Sequence, residues 1–445
     1  MRRISIIIAL FFSMTPLVQA QDESKFHAEF RLESERLKES CSGFNFKAIG
    51  SCAQVLFTDH PLHIAAGSIA PQNGVGFGPA FVYSTDLNVW RLRWNSDAVV
   101  SSNGSWRAGL YLKAYPTPTT PTIQTQPVIS AYLQAISLNK LGFFGLGSTA
   151  PESGRSYFGM TQTIAGTNVL YPVSNKLKLS LYGEINGRFV DIRGRTGESS
   201  PSIEQIYTEA TAPGLTSQPA YAQFGEGIRL RPNLLDNHIK LNYFVVFQQF
   251  VAPGDSRFSF RRVNFDLAHE FPLYHTTTSP YPKDTVGPDG SPEPPAKVSF
   301  SRNREGSVGV RLLISESIAS AGHVVPFYFQ PTLGGSDVNG ERSLPSYQDY
   351  RFRAPNLMLL RGDFEHSIWG PLGFNFMADY GKAALTRGDL DFNHMRHSFG
   401  TGVTIRAGNF PQVWLMFAWG GREGDHTIGY INPGLLGGTS RPSLF

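Results

Sequence analysis

In residues 177–189, Leu177, Leu179, Leu181, Ile185 and Phe189 fall on one side of an extended chain, and Lys178, Ser180, Glu184, Asn186 and Arg188 on the other. The same period of two runs through 90–98, where Trp90, Leu92 and Trp94 oppose Arg91, Arg93, Asn95 and Asp97. It returns in 372–381, where Leu372, Phe374, Phe376 and Tyr380 oppose Asn375, Met377 and Asp379. Successive side chains of a strand point to opposite faces, so each stretch reads as a strand with one apolar and one polar face. A soluble β-sandwich would bury such faces in pairs. Here the predicted strands run to ten residues or more, a length that suits tilted membrane spans. Their apolar faces are large and aromatic throughout, and no second element offers a core to cover them. A bilayer requires every backbone donor and acceptor to be paired, which strands achieve only by closing on themselves. The pattern predicts an all-β fold, a transmembrane antiparallel β-barrel with an apolar exterior and a polar lumen.

Sixteen strands are predicted, near 75–85, 88–100, 105–116, 127–147, 156–172, 176–192, 220–231, 238–251, 257–272, 296–316, 323–334, 356–368, 372–382, 396–407, 412–420 and 427–436. An even number places both ends of the barrel on the periplasmic side. The connections 193–219 and 273–295 are long and polar, and read as loops because the alternation resumes after each. Before the barrel (74–445), residues 21–73 are predicted to form a periplasmic segment. It opens with a short amphipathic helix at 24–40, where Phe26 and Phe30 are four apart and Glu35 and Lys38 three apart.

The N-terminus sets the compartment. Arg2 and Arg3 precede the apolar run Ile6–Phe12, and Val18-Gln19-Ala20 offers a small-residue cleavage site, so residues 1–20 read as a secretory signal peptide. The run is too short to span a bilayer as a helix. Outer-membrane lipid is therefore an expected partner. Basic residues are scattered and the net charge is only +4, which argues against nucleic acid. The two cysteines, Cys41 and Cys52, belong to an exported chain and are expected to pair as a disulfide, with a free or metal-binding pair as the alternative.

No catalytic or cofactor motif stands up. His269-Glu270 and His275 have the wrong spacing for a zinc-protease helix, and Pro272 would break that helix. Asp389, Asp391 and Asn393 begin like a calcium loop, but its glycine and glutamate positions hold His394 and Gly400. No Gly-x-Ser-x-Gly motif occurs. The chain is expected not to be an enzyme and to need no cofactor or metal.

One connection carries a motif. Leu333-Gly334-Gly335 is followed by Leu344 and Tyr347, then by Tyr350-Arg351-Phe352-Arg353, and Asp379 with Gly381 lies two strands on. This arrangement resembles the BamA/TamA superfamily of outer-membrane barrels, the bacterial surface antigens, and in particular a subgroup lacking periplasmic POTRA domains. The resemblance implies a long sixth extracellular loop, here 331–356, folded back into the lumen. It also implies a tip arginine that pins the loop to the lumenal aspartate, Asp379. In this chain Pro345 and Ser346 replace the tip arginine and glycine, and Met377 replaces an aromatic residue before Asp379. Arg351 is expected to take over the anchoring, with Arg353 and Arg342 as other candidates and Pro345 stiffening the tip. Otherwise the loop stands clear and Asp379 is hydrated. Arg361, Asp363 and Glu365 share one face of the next strand and are expected to line the lumen, either receiving the loop or forming a solvated wall.

The resemblance implies a barrel that assists insertion or translocation of a client polypeptide or lipid at the outer membrane. A weak seam between first and last strands would serve it: Gly429, Pro433 and Gly434 lie in the last, and Gly74, Gly76 and Gly78 at the first. The alternative is a passive diffusion pore.

Overall fold

The computed structural model describes residues 61–117, 126–195, 198–280, 298–407, 410–421, 423, 426–431 and 441–445, with Glu35 alone before residue 61. The expected signal peptide, the expected helix at 24–40 apart from Glu35, Cys41, Cys52, Pro433 and Gly434 lie outside them. Of two compact units, Met1–His63 and Ile64–Phe445, the second carries the fold.

Fifteen strands follow one another as an antiparallel meander, each paired to the next. A shorter strand, β1 (Leu62–Ser68), precedes them. They are β2 (Val75–Leu87), β3 (Trp90–Ser101), β4 (Trp106–Pro116), β5 (Val128–Phe143), β6 (Ser156–Ser174), β7 (Leu179–Gly194), β8 (Tyr221–Leu230) and β9 (Ile239–Val251). There follow β10 (Phe260–Pro280), β11 (Val298–Ile318), β12 (Asn356–Trp369), β13 (Leu372–Ala384), β14 (Arg396–Ala407), β15 (Phe410–Trp419) and β16 (His426–Ile431). No described helix is long and apolar enough to cross a membrane.

The burial pattern is inverted relative to a soluble protein. On β7 the apolar Leu181, Ile185 and Phe189 are exposed, whereas Asn186 and Arg188 are buried. On β13 Phe374, Phe376 and Tyr380 are exposed while Asn375 and Asp379 are buried, and on β14 Val403 and Ile405 are exposed around a buried Thr404. A surface built this way is stable only against hydrocarbon. The fold is a transmembrane antiparallel β-barrel.

Two strand expectations need correction. Residues 323–334 do not form a wall strand. Val325 and Pro326 lead into a single 3-10 turn, Phe327–Phe329, and then the two-residue ladder Thr332–Leu333. This stretch is apolar because it is buried inside the barrel, and length-limited apolar runs cannot distinguish that from a strand. Conversely, β1 was not expected. β12 therefore pairs directly with β11, and the lumenal loop spans the whole interval 319–355.

Candidate functional site

The loop fills the lumen with two linked features, an aromatic wedge and a hairpin. Phe327 and Phe329 are fully buried. The ring of Phe327 lies 5.3 Å from Phe143 and 5.1 Å from Phe158, both edge-on, and Phe329 lies 5.0 Å from Tyr221 and 5.4 Å from Phe250. The wedge leaves buried backbone carbonyls, and buried arginines satisfy them. Arg353 Nη1 donates to the Phe327 carbonyl at 2.8 Å, and Arg262 Nη2 donates to that of Phe329 at 2.5 Å.

The hairpin begins at Leu333-Gly334-Gly335. Thr332 and Leu333 pair with Arg353 and Phe352, and the two glycines adopt φ of +100° and +56°. A Cβ at Gly334 would stand 2.6 Å from that of Arg351, and one at Gly335 would stand 2.6 Å from the Asp349 nitrogen. Only glycine permits both this backbone and this approach. Tyr350, at φ +62°, bonds through its N–H to the Gly334 carbonyl at 3.1 Å and through its hydroxyl to the Pro71 carbonyl at 2.8 Å.

The tip turn is Leu344-Pro345-Ser346-Tyr347, closed by the Tyr347 N–H to the Leu344 carbonyl at 3.0 Å. Proline occupies the second position of this turn, where its fixed φ suits it. The turn is caught by a row of side chains that register places side by side on three strands. Arg361 on β12 faces Asp379 on β13, which faces Ser398 on β14. Asp379 Oδ2 accepts from the Leu344 N–H at 2.8 Å, and the Ser398 hydroxyl accepts from the Ser346 N–H at 2.8 Å. Arg361 grips the same carboxylate in bidentate fashion, at 2.8 and 2.7 Å, and donates to the Arg342 carbonyl at 2.7 Å. Gly381 leaves room for the tip: a Cβ there would stand 2.8 Å from Leu333 Cδ1 and 3.4 Å from Leu344 Cδ1.

The expected anchor is thereby corrected. The guanidinium on Asp379 belongs to Arg361 on the neighbouring strand, while Arg351 turns to the barrel rim. There it holds Glu423 in bidentate fashion, at 2.6 and 2.7 Å, and the Ala150 carbonyl at 2.8 Å, with its plane near the rings of Phe144 and Phe352. An alternative in which the loop stands clear and Asp379 is hydrated is likewise overturned, since Leu344, Ser346 and Asp379 are all 0% exposed. With a backbone N–H as its loop donor, Asp379 needs no side-chain donor at position 345.

Of the remaining predicted residues, Tyr347 packs edge-on against Phe352, with ring centroids 5.0 Å apart. Arg361 joins the anchor, but Asp363 and Glu365 lie further along β12. Glu365 forms an ion pair with Arg406 of β14, and Asp363 covers Gly309 of β11. Residues that the sequence reading missed complete the seat. Leu357 and Leu359, on the inward face of β12, join Leu333, Leu344, Tyr347 and Phe352 in one buried cluster. Their signal was present in Leu357-Met358-Leu359-Leu360, where both faces of the strand are apolar. Such a run marks a strand covered on both faces, and Met358 is buried as well. Within the loop, burial pushes the Asp337 carboxyl up to about 7, against the opposing pull of backbone donors from Glu341, Asn339 and Gly340.

The ladder, the apolar exterior and the loop-filled polar interior define a barrel of the outer-membrane type. No family model and no curated protein sequence matches the chain. Among solved structures it is similar to CdiB from Acinetobacter baumannii, with 12% identity, a TM-score of 0.46, and coverage of 83% of this chain and 60% of that one. It is also similar to BamA from Haemophilus ducreyi lacking POTRA domains 1–3, with 10% identity, a TM-score of 0.47, and coverage of 89% and 81%. CdiB from Escherichia coli gives 12% identity, a TM-score of 0.46, and coverage of 86% and 69%. At such identities no residue role carries over. The chain spans less than two thirds of the Acinetobacter CdiB.

Proposed function

We propose that the protein is an outer-membrane barrel that assists the insertion or translocation of a polypeptide, or of lipid, at the outer membrane. The observation that carries this reading is the lumen filled by the chain's own loop. The loop is seated through a buried ion pair, two backbone-to-side-chain hydrogen bonds and a dedicated apolar face. A barrel that serves as an open channel has no use for such a seat. Lateral opening between the first and last strands is the mechanism we favour. It is supported by Gly74, Gly76 and Gly78 at the start of β2, which lack side chains to pack across a seam. The chemistry is non-covalent, and neither an enzyme activity nor a cofactor is part of the proposal.

The test is to deplete the protein and quantify the outer-membrane proteome and lipids. Loss of specific client proteins or of a lipid class supports the proposal. An unchanged membrane with lowered small-solute uptake refutes it in favour of a passive pore. Cysteines placed across β2 and β16 should crosslink and abolish activity, whereas full activity in the crosslinked protein would refute the opening seam.

A further inference from the structure

The segment Arg441–Phe445 lies in the lumen. Arg188, on the inward face of β7 and 1% exposed, donates from Nη1 to the Ser443 carbonyl at 2.9 Å. From the opposite side Asn339, at the end of the loop hairpin, accepts from the Leu444 N–H at 2.8 Å and donates to the Ser443 hydroxyl at 3.2 Å. The single peptide group joining Ser443 and Leu444 is thus held on both sides, its carbonyl by the wall and its N–H by the loop. Arg441 stands 3.0 Å from a carboxylate oxygen of Asp97, which also pairs with Arg107 on β4. Leu444 is buried in the aromatic cluster beneath the wedge, and Phe445 packs against that cluster. Beside the segment a cavity of about 330 Å3 remains, lined in part by Tyr132, Tyr182, Glu184, Phe244, Asp266 and Arg311.

Arg188 is the instructive member. A buried guanidinium is costly unless each donor finds an acceptor. This one hydrogen-bonds Gln223, from the wall, and the Ser443 carbonyl, from the segment in the lumen. Asn339 offers the complementary acceptor for the N–H of the same peptide group. Carbonyl capture on one side and N–H capture on the other recognise an extended peptide whatever its sequence. Asp97 and the aromatic cluster add a preference for a basic residue three positions before an apolar one.

We propose that this part of the lumen is a binding site for an extended polypeptide segment, occupied here by the chain's own Arg441–Phe445, so that a client segment must displace it. This rests on the polypeptide reading above and deepens it. The segment acts as an internal competitor, and its release exposes a site that reaches the 330 Å3 cavity.

The test uses a fluorescein-labelled Arg-Pro-Ser-Leu-Phe peptide and the detergent-purified chain, intact or with 441–445 removed. Saturable binding to the shortened chain, about tenfold or more tighter than to the intact chain, is expected, and Asn339→Ala in the shortened chain should weaken it about tenfold. Absence of saturable binding, or equal binding to both chains, overturns the proposal. Should the shortened chain fail to fold, full-length Arg441→Glu, which sets a carboxylate against Asp97, should bind the peptide more tightly than the parent. Equal binding overturns the proposal there too. A null result together with client loss on depletion overturns this site and leaves the assembly reading standing. Peptide binding without client or lipid loss does the reverse.

Discussion

Replacing Asp379 by leucine removes one acceptor that serves two structures, the barrel wall and the loop tip, and the two losses can be separated. Within the wall, Arg361 would keep its charge with no carboxylate beside it. The side chains of the pair are 15% and 0% exposed, so this is a buried pair, and breaking one partner of such a pair costs about 3–5 kcal/mol. At the loop, the Leu344 N–H loses a charged acceptor at 2.8 Å, a loss of about 1.5–3 kcal/mol. Because about 1.4 kcal/mol is a factor of ten, the unseated population of the tip should rise about 10- to 150-fold. The double variant Asp379→Leu with Arg361→Met removes both charges and should recover most of the wall's stability, since no lone ion remains. It should not recover the tip, whose N–H still lacks an acceptor. Hydrogen exchange of peptides covering 335–355, set against peptides from β5 and β6, reads the two separately in detergent micelles. Wild-type protection of the tip in the double variant would refute the hydrogen-bond anchoring. Protection lost equally in the loop and in β5 and β6 of the single variant would refute the separation.

Gly334→Ala should disorder the loop hairpin, because φ is +100° and the new Cβ would stand 2.6 Å from Arg351 Cβ; limited proteolysis should cut within 335–350 in the variant and spare the parent. Arg351→Lys should not substitute for the arginine, since a single ammonium cannot reproduce the paired bonds to Glu423 and the bond to Ala150. The expected result is loosened exchange around Ala150 and Phe352 with Asp379 contacts intact, and parental exchange would count against the bidentate role. Asp337, raised to about 7 from 3.8, contributes stability that is present at low pH and lost as pH rises through about 7. Corrected for intrinsic rates, the turn 337–341 should therefore be better protected at pH 5 than at pH 8, and the opposite order would refute this. Thiol labelling of the unreduced, denatured mature protein should find neither Cys41 nor Cys52 free, their bridge adding about 2–4 kcal/mol to local stability; two labelled thiols would refute the pairing.

How far the sequence reached depends on the range of the interaction involved. A strand's two faces are decided by its own residues, and so 177–189 and 372–381 could be assigned an apolar and a polar side with no structure at hand. Gly334, Gly335, Asp379 and Gly381 were legible only through the resemblance to the BamA/TamA motif, and the structure supplies the physical reason for the glycines, a positive φ at 334 and 335 and a close approach of the tip at 381. What failed was reading partners along the chain. Nearness in sequence to the lost donor favours Arg351, in the loop, as the partner of Asp379. Strand register instead places Arg361 directly opposite it, a pairing set by the whole ladder and by no local signal. The apolar stretch 323–334 reads as a strand, since its alternation cannot reveal that the surrounding medium is aromatic side chains rather than lipid. Arg441–Phe445 is the extreme case. Nothing in those five residues marks them as lumenal. Their place is fixed by Arg188, Asn339 and Asp97, which lie hundreds of positions or about a hundred positions away. Local periodicity determines which faces are greasy, and only closure of the sheet around its own loop decides which distant groups meet inside.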